Sequence, residues 1–263
     1  MLFGSASGCT EGDTKLSLEE IRSPIIPELE SPTWCSGTPM EPLGIELPVM
    51  LFVGEGVPLS AVRESILAAE SILRTYGIQP VFDPEIRQIP RNTLFTIDPT
   101  KLRRAIQKGT PQPRLEAMLL GGVKVLLQTH CRPRTAGTHW FFLDEIAPET
   151  GIASRILGEV LGIGLSPELV AAEQDAGQGG SWVQAAGLGG EFTPTLVLGT
   201  RAIGKKDRME AGLTIFHELG HAMGLGHAGP DSQDLMGTAL PKCLPTLTDD
   251  EKRAFVSGGG NAK

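Results

Sequence analysis

The chain has 263 residues, a formal net charge of −8 and an isoelectric point near 5.2. This length is enough for one large domain with a sizeable buried core. The acidic balance, without any Lys/Arg run, argues against a nucleic-acid partner and against an anionic membrane surface. No segment reaches the roughly 18 apolar residues that cross a bilayer, so no transmembrane segment is predicted.

The first 45 residues are rich in Pro, Ser, Gly and Thr and show little hydrophobic periodicity. This composition predicts an N-terminal extension, or a propeptide-like segment, over 1–45. Within it, Ala6-Ser-Gly-Cys9 resembles the end of a bacterial lipoprotein signal but lacks the usual leucine three places before the cysteine. Cys9 is therefore either an acylation site or an ordinary cysteine.

The four cysteines stand at positions 9, 35, 131 and 243, with no C-x-x-C spacing. This spacing argues against a cysteine-based zinc site and leaves three disulfide connectivities open. An even count favours at least one disulfide, so we expect the protein to be secreted or held in the cell envelope.

Residues 46–263 have the composition of a globular domain. Leu47–Val53 is a short apolar run that predicts a buried strand. A helix capped by Ser60 follows, with an apolar stripe that ends at Gly77, and Ile78–Phe82 gives a second strand. This order predicts a parallel, right-handed crossover unit.

The middle of the chain is less regular. Helices are predicted near Pro99–Gln107 and Gln112–Leu120, and further strands at Gly122–Gln128, His139–Leu143 and Thr195–Gly199. Residues 147–192 form a long, partly Gly-rich insertion between the last two of these strands. It is either a rim over a cleft or a passive surface excursion, and we favour the passive interpretation.

The stretch HELGHAMGLGH carries the chemistry. His217 and His221 are four residues apart, so on a helix both imidazoles point at one metal ion. Gly224 can adopt a positive φ, end the helix and allow His227 to supply a third ligand, which leaves the fourth position for water. Glu218 lies beside the ligands, where it suits a general base.

The helix that carries this motif is predicted to begin near Asp207 or Arg208, with Glu210 in its first turn against the positive helix end. A separate face, at four-residue spacing, is expected to anchor it against the sheet: Ile215, Leu219 and Met223.

These residues resemble the metzincin clan of zinc peptidases, whose signature is H-E-x-x-H-x-x-G-x-x-H followed by a methionine turn. Met236 stands where that turn should lie, and the spacing is most similar to the matrixin branch. The resemblance implies an α/β (α+β) fold with a twisted, mostly parallel five-stranded sheet and an antiparallel edge strand. It further implies a backing helix, an active-site helix, an upper part (46–226) and a smaller lower part (227–263).

The same resemblance implies a zinc-dependent endopeptidase with one catalytic Zn²⁺ ion, Glu218 as general base and a protein or peptide substrate. A wall of the S1′ pocket would come from Ala239, Leu240 and Pro241. The antiparallel edge strand that receives the substrate would be residues 139–143, or else 195–199. Independently of the resemblance, Thr248 and Glu251 have the spacing of a capping box at the start of a last helix.

Two other functions stay open: a zinc-dependent hydrolase of a non-peptide amide, and a zinc-containing binding module without turnover, against which the intact Glu218 argues. Cys35 loosely resembles the cysteine switch of latent matrixins, although a disulfide is the favoured fate. His130 and His139 are too few for a second zinc site of the matrixin kind, so we interpret them as packing or surface residues. A monomer is expected, and calcium binding is left open.

Overall fold

The computed structural model describes residues 16–19, 33–90, 99–131, 136–146, 161–175, 192–228, 234–237 and 240–258. Cys9, the pocket residue Ala239 and most of the 147–192 stretch lie outside these ranges, as do the predictions made for them. Within the described ranges, no helix is both long and apolar enough to span a bilayer.

A mixed sheet forms the centre of the molecule. Its strands are β1 (Leu16–Ser17), β2 (Ile45–Gly54), β3 (Ile78–Phe82), β4 (Glu85–Ile89), β5 (Thr138–Leu143), β6 (Gly162–Leu165) and β7 (Thr195–Gly199). The order is β1-β4-β2-β5-β7-β6, and β3 also pairs with β2. The pairings of β2 with β3, β4 and β5 and of β5 with β7 are parallel, whereas β1 and β6 pair antiparallel with their neighbours. The predicted mostly parallel sheet is confirmed, but the described residues alone contribute seven strands to it rather than five.

The helices in the described ranges are α1 (Leu59–Thr75), α2 (Pro99–Gln107), α3 (Gln112–Leu119), α4 (Gly121–His130), α5 (Pro167–Asp175), α6 (Thr200–Ile203), α7 (Arg208–Ala222) and α8 (Asp249–Gly258). The predictions of α1, α2 and α3 are confirmed. Ser60 does not cap α1, however, because the N-cap position falls on Pro58 and no side chain bonds there.

The sheet is buried on both faces, as its largely parallel interior requires. On one face, α1 and α7 cover apolar side chains of β2 and β5 that include Leu51 and Trp140. On the other face, α4 covers Phe52 and Phe141. Helix α7 approaches α1 closely at Gly212, where a Cβ atom would lie only 2.6 Å from the carbonyl oxygen of Ala68.

The prediction of a strand at Gly122–Gln128 is wrong, because this segment belongs to α4. Val123, Leu126 and Leu127 are buried, whereas Val125 is 42% exposed. Burial at spacings of three and four is the pattern of a helix with one apolar face, and it outweighs the β-propensity of the valines.

The prediction of the edge strand is also wrong. β5 lies between β2 and β7, and β7 lies between β5 and β6, so neither is at an edge. Every residue of both strands is buried, which is typical of strands covered on two faces. In the described part of the sheet, the antiparallel strand at the edge next to β7 is β6, which lies inside the stretch that we interpret from the sequence as a passive excursion, and β1 is the antiparallel strand at the opposite edge.

Part of the predicted N-terminal segment is joined to the C-terminal part. Cys35 and Cys243 form a disulfide across a sequence separation of 208 residues, and Trp34 pairs with Leu244. The cysteine-switch hypothesis for Cys35 is therefore wrong, because its sulfur has no free thiol to offer a metal. The bridge between the segments around Trp34 and Leu244 brings the two cysteines together. This contact forms only in the folded protein, so the sequence around Cys35 does not reveal it.

The histidines outside the motif are packing residues, as predicted. His139 is 4% exposed, and its ring lies 5.1 Å from the ring of Phe52, centroid to centroid. The ring of His130 lies 5.6 Å from the same phenylalanine.

Candidate metal centre

Helix α7 is anchored by its own sequence before any ligand is considered. The side chain of its N-cap residue, Asp207, accepts a hydrogen bond of 2.7 Å from the N–H of Glu210. Ile215 and Leu219 are fully buried against the sheet, whereas Met223 is only half-buried at the helix end. The cap and the apolar face therefore hold the helix in place, with the motif on its remaining surface.

The three histidines of the motif come together at one point. Their candidate ligand atoms all lie within 4.8 Å of one another, and the Nε2 atoms of His221 and His227 are 3.2 Å apart. Two nitrogens on one tetrahedral ion, each about 2.0–2.1 Å from it, would be separated by roughly 3.3 Å. Gly224, with a φ of +91°, ends the helix and redirects the chain between the second and third histidine.

Hydrogen bonds orient two of these imidazoles. Nδ1 of His217 lies 2.7 Å from the carbonyl oxygen of Leu235, and Nδ1 of His221 lies 2.7 Å from that of Leu225. A carbonyl oxygen only accepts, so each Nδ1 donates and each Nε2 keeps its lone pair. Burial also lowers the pKa of both rings, that of His221 to about 4, which keeps them neutral and able to bind a cation at neutral pH.

Met236 lies under the helix that carries the ligands. A Cβ atom on Gly220 would approach its sulfur to 2.4 Å, so the glycine inside the motif makes room for the thioether. The carbonyl of Met236 accepts a hydrogen bond of 2.8 Å from Ala228, next to His227. Together with the Leu235 carbonyl, the methionine turn thus contacts the first and third histidine segments.

The last helix holds the methionine turn in place. Oε2 of Glu251 accepts hydrogen bonds from the N–H (2.7 Å) and the hydroxyl (3.0 Å) of Thr248, and the N–H of Glu251 donates to that hydroxyl oxygen at 3.2 Å. The predicted capping box is therefore confirmed. Oε1 of the buried Glu251 also accepts from the N–H of Met236 at 3.3 Å. We missed this second bond in the sequence, because capping alone accounts for a glutamate at that position.

Glu218 faces the edge strand. Its Oε2 accepts a hydrogen bond of 2.8 Å from the N–H of Gly164 in β6. Burial raises the pKa of Glu218 to about 7, and the bond from Gly164 opposes this shift. Gly162 and Gly164 are site residues that the sequence did not lead us to expect. Their spacing in the sequence could have indicated them. Two glycines two residues apart in a strand lie on the same face, and a face without side chains is one that another element can approach closely.

The predicted pocket residues Leu240 and Pro241 are half-buried and lie between the methionine turn and the disulfide at Cys243. Their contribution to a substrate pocket stays a prediction.

Three imidazoles that converge on one point could hold a metal ion, and this is the one such group among the described residues. Imidazole donors suit zinc, although they also suit copper, iron and nickel. The 3.2 Å separation of the Nε2 atoms of His221 and His227 fits two ligands of one tetrahedral ion, and the Nδ1 hydrogen bonds of His217 and His221 leave their Nε2 lone pairs free to bind it.

In comparison with known proteins, the chain matches no family model and no curated protein in sequence. The residues and geometry of the site are therefore the basis for inferring the function of this protein.

Proposed function

We propose that the protein is a zinc-dependent endopeptidase with Glu218 as its general base. The observation that carries the proposal is the convergence of His217, His221 and His227 beside the half-buried carboxylate of Glu218, which lies on the same helix as the first two histidines. Oriented histidine ligands and a base with a raised pKa are what a hydrolytic metal site needs.

The three histidines would hold the zinc ion, which would supply a water of lowered pKa and polarise the scissile carbonyl. Glu218 accepts a proton from the attacking water and passes it to the leaving amine. In the metal-free protein, burial raises the pKa of Glu218 to about 7, and a general acid–base group works best when its pKa is near the working pH.

The edge strand supports a peptide rather than a small amide as the substrate. The carbonyl of Leu161 accepts a hydrogen bond of 3.0 Å from the N–H of Gly199. In an antiparallel pair, the N–H and C=O groups of successive residues point alternately towards and away from the neighbouring strand. Since those of Leu161 face β7, those of Gly162 point away from it. An extended peptide can pair with such an edge as a further strand, directly beside Glu218.

The disulfide bears on where the enzyme acts. A bond such as Cys35–Cys243 persists in oxidising compartments. We therefore propose that the enzyme is secreted or resides in the cell envelope. When producing cells and their exported fraction are treated with an alkylating agent at once, Cys35 and Cys243 of the mature protein should remain unmodified. Alkylation of both cysteines would contradict this location.

The proposal is tested by incubation of an unbiased peptide mixture with the zinc-loaded protein and with Glu218→Gln, after the metal content of both has been measured. We expect about one zinc per chain in each, and a rate at least about 100-fold lower in the variant, because the variant cannot take up the proton.

The chain should be assayed both whole and without residues 1–32, so that inhibition by the N-terminal segment is removed while Cys35 keeps its disulfide partner. Stoichiometric zinc without cleavage in either form would reject the endopeptidase.

A further inference from the structure

The two glycines of β6 lie in direct contact with the proposed base. A Cβ atom on Gly162 would lie 2.6 Å from Cγ and 3.2 Å from Cδ of Glu218. A Cβ atom on Gly164 would lie 1.7 Å from the main-chain oxygen of Glu218 and 2.8 Å from Cβ of His221. Contacts below 3.0 Å cannot be accommodated without movement, so β6 fits against α7 only when both positions lack side chains.

The alternation of the ladder gives the N–H of Gly164 a distinct role. Leu161, Ile163 and Leu165 direct their main-chain groups at β7, as the bond between Leu161 and Gly199 shows. The N–H of Gly164 points the other way and reaches Oε2 of Glu218 at 2.8 Å. One carboxylate oxygen is thereby fixed, and Oε1 is left for the reaction.

We propose that Gly162 and Gly164 are positioning residues for Glu218. The peptide N–H of Gly164 fixes the orientation of the carboxylate, and the missing side chain of Gly162 leaves the space in which that carboxylate lies. The inference rests on the proposed function, because orientation of Glu218 affects a rate only if Glu218 is the base.

The first test is Gly162→Ala, with Gly121→Ala as the matched control. Gly121 has no atom within 4 Å of an added Cβ, whereas an alanine at 162 must turn the Glu218 side chain away from Gly164. We expect kcat to fall at least tenfold in Gly162→Ala, with KM and zinc affinity within about twofold of the parent, because no histidine has to move. The control should retain full activity.

The second test separates positioning from general damage. In a Glu218→Gln background, Gly162→Ala should lower the residual rate by less than twofold, because its effect acts through a group that is already lost. A further tenfold loss in that background would overturn the proposal.

The third test does not depend on activity. The amide hydrogen of Gly164 should exchange with solvent at least tenfold faster in Glu218→Ala and in Gly162→Ala than in the parent, as measured by NMR. The amides of Ile163 and Leu165, which face β7, serve as internal controls and should change by less than twofold.

Unchanged exchange at Gly164 in Glu218→Ala would overturn the inference, even if the protein cleaves peptides. If the parent cleaves nothing but exchange responds as expected, the contact is established and the endopeptidase proposal is the part that fails.

Gly164→Ala, unlike Gly162→Ala, is expected to weaken zinc binding at least tenfold, because its Cβ meets the main chain of α7. Parental zinc affinity in a folded Gly164→Ala protein would also contradict the proposal.

Discussion

At the scale of single residues, the environment of a histidine decides what it does. His139 lies on the face of β5 that α4 covers, and it packs against Phe52. Burial lowers the pKa of His139 to about 4, and the nearby charges of Arg87 and His130 act in the same direction. Its neutral ring is therefore part of the core, whereas the neutral rings of α7 converge on one point.

His139 should make stability depend on pH. Its pKa is about 6.5 in the unfolded chain and about 4 in the folded protein, so the unfolded state binds its proton first as the pH falls. The contribution of His139 to the free energy of unfolding is fully present above about pH 6.5 and falls, by up to about 1.4 kcal/mol per pH unit, towards pH 4.

The measurement is urea unfolding of metal-free parent and His139→Phe between pH 6.5 and 5. The parent should lose about 2 kcal/mol more than the variant over this interval. The other histidines are common to both proteins and cancel in the comparison. Equal losses in the two proteins would show that His139 is not buried in its neutral form.

At the scale of elements, the site depends on a chain of contacts from α8 to α7. Glu251 lies in the first turn of α8 and also accepts a hydrogen bond from the N–H of Met236. The carbonyl of the preceding residue, Leu235, orients His217. α8 thus supports the orientation of His217 indirectly, through the backbone of the methionine turn.

Glu251→Ala and Thr248→Ala distinguish this link from simple helix capping. Thr248→Ala should lower the free energy of unfolding by about 1 kcal/mol through loss of the cap and leave zinc affinity unchanged. Glu251→Ala should cost more stability and also weaken zinc binding about tenfold, because the Met236 N–H loses its acceptor. Urea unfolding and competition with a chromophoric chelator measure the two effects. Equal zinc affinity in both variants would show that the hydrogen bond from Met236 to Glu251 does not support zinc binding.

The sequence predicted those parts of the site that depend on local spacing. The positions of His217 and His221 on one helix follow from four-residue periodicity, and the capping box of Thr248 and Glu251 follows from a three-residue one. The bond from Glu251 to Met236 joins segments that meet only in the folded protein, so no local pattern contains it.

The same limit explains the errors in the fold. β6 has four residues, two of them glycine, and so lacks the propensity that identifies a strand. Its place in the sheet comes from pairing with β7 and from the close approach to α7. α4 was predicted as a strand because a short apolar run is ambiguous between the two structures until its partners are known.

At the scale of the whole molecule, the disulfide joins two ends of the described structure. Around it, Trp34 packs on Tyr76, and the hydroxyl of Tyr76 donates a 2.7 Å hydrogen bond to the carbonyl of Pro245. The disulfide links residues 208 positions apart in the sequence and therefore strongly restricts the conformations of the unfolded chain.

Reduction of the disulfide should lower the free energy of unfolding by about 2–5 kcal/mol. Zinc should remain bound in the folded, reduced protein, because the bonds described for the ligands do not pass through residues 33–37. Thermal unfolding with and without a dithiol, with zinc content measured in parallel, tests both statements. The double variant Cys35→Ser/Cys243→Ser should match the reduced parent and be insensitive to the dithiol. Loss of zinc on reduction would contradict the expected independence of the two sites.

Cys131, which is free and buried in the described part of the chain, gives this disulfide a consequence for biosynthesis. Cys35 leaves the ribosome roughly 10 to 40 s before Cys243, at about 5–20 residues per second, and Cys131 emerges between them. Cys131 ends up buried in the sheet beside Thr195, its thiol pKa raised by burial to about 12, and so unreactive. That protection needs β7, which is synthesised after Cys131 and before Cys243. Correct pairing therefore depends on the nascent chain staying reduced, or on a catalyst that reshuffles wrong pairs, until the sheet has closed over Cys131.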